Sequence, residues 1–154
     1  MGRLKVTIRR ATADDHGMMF LLAEECLHPL AERAGHPERF QPARLLDLFA
    51  HAESYVAESE TGEIAGYVAF DEEDDEVELR CFCVNPAHEA QMVANQLLDW
   101  VEGLALSRGR TRLTALVPAD DTSSLHLYRR HEFVARRLED EPERLLLEKR
   151  LPER

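Results

Sequence analysis

Residues 77–117 read VELRCFCVNPAHEAQMVANQLLDWVEGLALSRGRTRLTALV, and the order of patterns within them decides the fold. Val77–Val84 is strand-like and is stopped by Pro86. A long helix follows, because Ala90, Val93, Ala94, Leu97, Leu98, Val101, Leu104 and Ala105 recur at i, i+3, i+4, i+7 and onward, along one face. Gly109 marks where that helix ends. Leu113, Ala115 and Val117 then alternate as a further strand. A right-handed crossover would lay it parallel to Val77–Val84.

Upstream, Leu4, Val6 and Ile8 alternate with Lys5, Thr7 and Arg9, the period of a half-buried strand. Thr12 opens a Thr-x-x-Asp capping box with Asp15, and Met19, Leu22, Ala23, Cys26, Leu27 and Leu30 form the apolar stripe of a helix behind it. Pro29, Gly35 and Pro37 break the chain, so residues 29–42 are expected to connect this helix to a second one starting near Pro42. Strands at 54–58 and 64–70 flank the Thr61-Gly62 turn as a hairpin. The acidic run Asp71–Glu76 should be a solvated hairpin tip joining the strand at 64–70 to Val77–Val84 as antiparallel neighbours. Downstream, Asp121 caps a short helix reaching about His131, and strands at 133–138 and 144–151 close the chain. The expected order is β-α-α-β-β-β-α-β-α-β-β: an α/β domain over residues 1–154, with a mixed, mostly antiparallel sheet of about seven strands and helices on both faces.

The chain has 154 residues, 44% of them hydrophobic and 32% charged, which suits a globular protein with one core. No window approaches the ~20 apolar residues of a membrane span. The N-terminus enters strand-like alternation directly, so a cytoplasmic location is expected. A net charge of −11 opposes nucleic acid, whose phosphates demand a basic surface, and is compatible with an amine-bearing partner. Cys26, Cys81 and Cys83 lie in apolar segments and read as reduced, buried thiols. The seven histidines show no ligand spacing, and His126 and His131, five apart, do not share a helix face, so no metal is expected.

Three segments carry a resemblance to a known family. The opening Val6-Thr7-Ile8-Arg9-Arg10-Ala11-Thr12-Ala13-Asp14-Asp15, the junction Cys83-Val84-Asn85-Pro86, and the stretch from Asp121 through Ser124, Leu127 and Tyr128 to Phe133 together resemble the GNAT superfamily of acyl-CoA-dependent N-acetyltransferases. The resemblance covers nearly the whole chain. It implies the GNAT fold and acetyl-CoA as acyl donor, with no metal. It also implies that two parallel strands splay apart, and that the pantetheine arm bonds to backbone near Phe82, Cys83 and Val84. The pyrophosphate would be held by amides at the helix start, within Glu89, Ala90, Gln91, Met92, Val93, Ala94 and Asn95, where N–H groups and the helix dipole favour an anion. Asp121 and Ser124 would complete the cofactor site. The aligned family loop is Arg/Gln-x-x-Gly-x-Gly/Ala, so Glu89 and Met92 depart from it while Ala94 fits. Glu132 stands where the family has a glycine in left-handed conformation.

Transfer from a thioester to an amine needs a neutral amine and a protonated leaving sulfur. A lysine-type amine has a pKa of about 10.4, so a base must take its proton. Glu78, six residues before Val84, resembles the catalytic glutamate of some members; its other reading is a solvated or salt-bridged strand residue, with Arg80 as a candidate partner. Tyr128 is the implied acid for the departing thiolate; its other reading is a core residue beside Leu127. Backbone N–H groups of Phe82–Val84 would polarise the carbonyl. Two functions stay open at this level: acetyl transfer to a primary amine of a small molecule or peptide, and a GNAT-fold interaction module without catalysis. Exposed edge strands are compatible with a homodimer.

Overall fold

The computed structural model describes residues 5–88 and 90–152. Leu4 of the expected first strand and Glu89 of the expected phosphate loop lie outside the described residues. The elements are β1 (Val6–Arg10), α1 (His16–Arg33), α2 (Pro42–His51), β2 (Glu53–Ser59), β3 (Ile64–Glu73), β4 (Glu76–Val84), α3 (Ala90–Ser107), β5 (Arg112–Pro118), α4 (Thr122–Arg130), β6 (Val134–Arg137) and β7 (Arg144–Arg150). Short 3-10 turns span Ala13–Asp15 and Pro37–Arg39. The seven strands form one sheet in the order β1-β2-β3-β4-β5-β7-β6. β4 and β5 are parallel, as expected, while β1–β2, β5–β7 and β6–β7 are antiparallel.

The chain divides into two compact units, Met1–Ala69 with Cys81–Leu98, and Phe70–Arg80 with Asp99–Arg154. In the first, Met19 and Leu22 of α1 and Phe49 of α2 pack with Tyr67, Cys81 and Cys83 of the sheet, and Phe49 sets its edge on Tyr67 at 5.5 Å between centroids. The capping box forms: the Thr12 backbone N–H donates to Asp15 Oδ2 at 2.8 Å. It opens the 3-10 turn that leads into α1 rather than α1 itself. Arg9 forks onto the same carboxylate at 2.8 and 2.9 Å and also holds Glu58. That fork, with the Thr12 bond, lowers the Asp15 carboxyl to about 2.

Helix α1 departs from expectation by running through Pro29 to Arg33. A proline at this position removes one N–H, the donor to the carbonyl four residues back, and leaves the rest of the ladder intact. Ala31, beyond it, is buried, so packing continues past the break. The helix stops at Gly35, whose φ is +77°, with Gly35 N–H donating to the Glu32 carbonyl at 3.0 Å and His36 N–H to that of Ala31 at 2.9 Å.

In the second unit, Val77, Leu79, Leu113, Ala115 and Leu147 are buried side chains of β4, β5 and β7. The acidic run forms the expected solvated hairpin tip, with Glu72, Glu73, Asp74 and Asp75 exposed. β3 extends to Glu73 and β4 begins at Glu76, so Asp74 and Asp75 alone make the turn, Asp74 at φ +53°. Arg80 pairs with Asp71 at 3.0 Å, Arg108 with Glu72 at 3.0 Å and Arg112 with Glu76 at 2.9 Å. Cationic side chains recurring through 108–112 thus neutralise a run that looks purely anionic in sequence, although such exposed pairs stabilise little individually.

The end of α4 keeps the geometry that the family's glycine would adopt. Glu132 has φ +69°, its N–H donates to the Arg129 carbonyl at 3.0 Å, and Phe133 N–H donates to the Tyr128 carbonyl at 3.0 Å. These are the two bonds of a Schellman cap, completed by an apolar contact between Phe133 and Tyr128 at 5.0 Å between ring centroids. A residue with a Cβ is strained there. Glu132→Gly is therefore expected to raise stability by about 1 kcal/mol in urea unfolding; an unchanged or lower midpoint would mean that Glu132 bears no strain.

Candidate functional site

The expected cofactor residues fall into two groups, one in each unit. In the first unit, β4 ends with Phe82 half-buried, Cys83 buried and Val84 half-buried. Asn85 N–H still donates to the Ala65 carbonyl at 2.8 Å, so sheet pairing continues one residue past the strand. The chain then turns tightly: Asn85 Oδ1 accepts from Ala87 N–H at 2.9 Å, and the Asn85 carbonyl accepts from His88 N–H at 3.1 Å. Helix α3 starts at Ala90. Along its first turns Val93 and Ala94 are buried, Met92 and Asn95 half-buried and Gln91 exposed. The Met92 side chain is thus partly withdrawn from solvent.

The second unit holds Glu78, Asp121, Ser124 and Tyr128. Glu78 is half-buried on β4, in register with Thr114 of β5, itself buried. Arg80 is bonded to Asp71 instead of Glu78, which corrects the candidate pair: strand neighbours two residues apart share a face, yet the β3 carboxylate offers Arg80 a 3.0 Å contact. Asp121 caps α4 as expected, accepting from Ser124 N–H at 3.2 Å and from Ser124 Oγ at 2.7 Å. Ser124 is thereby committed to the cap. Tyr128 is 4% exposed and packed against Phe133. The β4–β5 register runs from Glu76↔Arg112 to Leu79↔Ala115; β4 continues to Val84 and β5 to Pro118.

The Cys81 and Cys83 thiols are unsuited to covalent chemistry. Burial pushes Cys81 up to about 11, despite its contact with the Tyr67 hydroxyl at 3.7 Å. The hydrogen bond with Cys26 and burial also raise Cys83, whose thiol donates to the Leu22 carbonyl at 3.7 Å. The nucleophile is the thiolate, so these groups stay inert near neutrality. Cys81 and Cys83 are buried as expected, whereas Cys26 is half-buried and its thiol is lowered by the hydrogen bond with Cys83.

Two features around the β4–α3 junction had no sequence signal. Gly66 is one: a Cβ built on it would stand 2.9 Å from the Cys83 carbonyl oxygen, 3.1 Å from Val93 Cγ1 and 3.2 Å from Leu97 Cδ1. The absent side chain lets α3 approach the sheet beside the residues expected to bond the cofactor. The other is His88, whose Nε2 lies 3.1 Å from Glu63 Oε2 and ties the turn to the β2–β3 connection. A depression of about 400 Å³ at the β3–β4 turn, lined by Glu73, Asp74, Thr111, Arg112 and Arg150 among others, contains none of the residues expected to act.

This mixed sheet, with a parallel β4–β5 pair joined through a turn and a long helix, is the fold of solved acyl-CoA-dependent N-acyltransferases. The PaiA N-acetyltransferase from Thermoplasma acidophilum, solved in complex with coenzyme A, superposes with a TM-score of 0.79 at 14% identity, over 96% of this chain and 99% of that one. The ribosomal-protein-S18-alanine N-acetyltransferase from Escherichia coli gives 0.74 at 17% identity, over 95% and 94%. YncA from Salmonella typhimurium, solved with its cofactor acetyl-CoA, gives 0.71 at 16% identity, over 97% and 96%. The profile of the acetyltransferase (GNAT) family matches residues 18–133, and the chain belongs to that family; it is an acyltransferase. No curated protein sequence matches it significantly. Among the described residues, no helix is long and apolar enough to cross a membrane.

Proposed function

We propose that the protein transfers an acetyl group from acetyl-CoA directly to a primary amine. The observation that carries this reading is the β4–α3 junction. A strand end with peptide groups at Phe82–Val84 runs through a two-bond turn into the N-terminus of an 18-residue helix. The N–H groups and dipole of a helix start suit a diphosphate. Coenzyme A and acetyl-CoA in the structures of two neighbours support the same donor here.

In this reading the backbone of Phe82–Val84 bonds the pantetheine arm and polarises the thioester carbonyl. Amides of Ala90–Asn95 hold the pyrophosphate. Glu78 takes the proton of the attacking ammonium, directly or through water. The neutral amine attacks the carbonyl carbon, the C–S bond breaks, and Tyr128 delivers a proton to the thiolate. The acid and base roles rest on the family resemblance, and the buried, capped setting of Tyr128 supports the precision such a donor needs. Family members act on amine acceptors ranging from small molecules to proteins, and acidity with a net charge of −11 suits a cationic acceptor in solution. Calorimetric titration with acetyl-CoA, with desulfo-CoA and adenosine diphosphate as comparisons, tests the donor assignment.

A further inference from the structure

The sequence offers no metal-ligand spacing, yet folding gathers three donors that lie far apart along the chain. Asp99 and Glu102 are three residues apart on α3 and so share a face. His131 is the C-cap residue of α4. One donor atom from each of the three lies within 4.8 Å of the others. We propose that Asp99, Glu102 and His131 bind a divalent transition-metal ion of the zinc type, with water completing its coordination.

Three observations carry the assignment. The first is a distance. His131 Nδ1 and Asp99 Oδ1 are 3.4 Å apart, beyond the usual 2.7–3.2 Å range of an N–H···O bond. Tetrahedral zinc with ligands at about 2.0–2.2 Å sets its donors roughly 3.3–3.6 Å apart, so this pair already spans one edge of such a polyhedron. The second is donor chemistry. One imidazole with two carboxylates suits zinc and its neighbours, whereas magnesium and calcium take oxygen donors alone. The third is charge. Lys149 Nζ contacts Glu102 Oε1 at 2.9 Å, while Asp99 lies against His131. The second carboxylate oxygen of Glu102 can turn to a metal while Lys149 keeps the first. His131 also stands at the carbonyl end of α4, where the helix dipole favours a cation.

Two of the three donors are built into the framework: the His131 side chain is 12% exposed and that of Glu102 22%, while Asp99, 71% exposed, would be ordered on binding. A bound ion would staple α3 to the end of α4, the helix that carries Tyr128. The inference does not depend on the acyl-transfer reading, since it rests on donors outside that site.

Calorimetric titration of the metal-free protein with Zn2+ tests it, with Mg2+ as comparison. Trp100, the one tryptophan of the chain, is the neighbour of Asp99, so quenching of its fluorescence by Ni2+ reports whether metal occupies this place. The expected result is saturable one-to-one Zn2+ binding in the micromolar range, with no comparable Mg2+ binding. Asp99→Asn and Glu102→Gln, each checked for folding by circular dichroism, should each weaken it at least ~10-fold. Lys149→Gln should strengthen it by releasing Glu102. Absence of saturable Zn2+ binding below millimolar, or binding that survives both carboxamide variants unchanged, would overturn the proposal.

Discussion

Gly66→Ala is expected to lower stability by roughly 2–3 kcal/mol, an overpacking cost. The new methyl carbon would lie 2.9 Å from the Cys83 carbonyl oxygen, which is backbone and cannot rotate away. The contacts with Val93 at 3.1 Å and Leu97 at 3.2 Å close the opposite direction, and both side chains are fully buried. Relief therefore requires the end of β4 or the start of α3 to move. Urea unfolding of the variant should show a lower midpoint at unchanged slope. Because the displaced segments are those proposed to hold the cofactor, acetyl-CoA affinity should fall as well. A variant of unchanged midpoint would mean that α3 does not pack on Gly66 as described.

Tyr128→Phe is expected to reduce turnover about a hundredfold while leaving acetyl-CoA affinity within a few-fold of the original. The change removes a single hydroxyl. The ring contact with Phe133 is apolar and would persist, as would the cap bonds at the end of α4, which use backbone atoms. Loss of turnover without loss of binding is the signature of a group that acts in the transition state. Steady-state release of free coenzyme A in the presence of an amine reads turnover, and calorimetry reads binding. Full activity in Tyr128→Phe would leave Tyr128 a core residue and remove the acid from the mechanism.

Much of the fold is legible in the sequence because its signals are local. The apolar repeat from Ala90 to Ala105, the stop at Gly109 and the Asp121 cap each involve neighbours along the chain, and each appears where the spacing puts it. Pro29 misleads for the converse reason. Its local penalty is real, but burial of Ala31 beyond it is a tertiary gain that spacing alone does not reveal. The acidic run is legible as an exposed hairpin tip, whereas its partners Arg108 and Arg112 arrive from a distant stretch of chain and carry no local signal.

The candidate site is less legible. The identity of Glu132 suggested a lost glycine, and the left-handed conformation persists regardless, because the cap bonds and the Tyr128–Phe133 contact hold it. Gly66 gave no signal, since a glycine inside a strand pattern looks the same whether it is required by a close approach or merely tolerated. The His88–Glu63 tether and the meeting of His131 with Asp99 join residues from separate elements, beyond the reach of any short motif.

The proposed acetyl transfer requires the β4–α3 junction to hold an acyl-CoA even though Met92 occupies the position of a family glycine. Calorimetric titration with acetyl-CoA is its most direct test. Saturable micromolar binding, shared by desulfo-CoA and much weakened for adenosine diphosphate, is the predicted result. No detectable binding up to millimolar acetyl-CoA would contradict it, leaving a member of the acetyltransferase family whose junction no longer holds this donor.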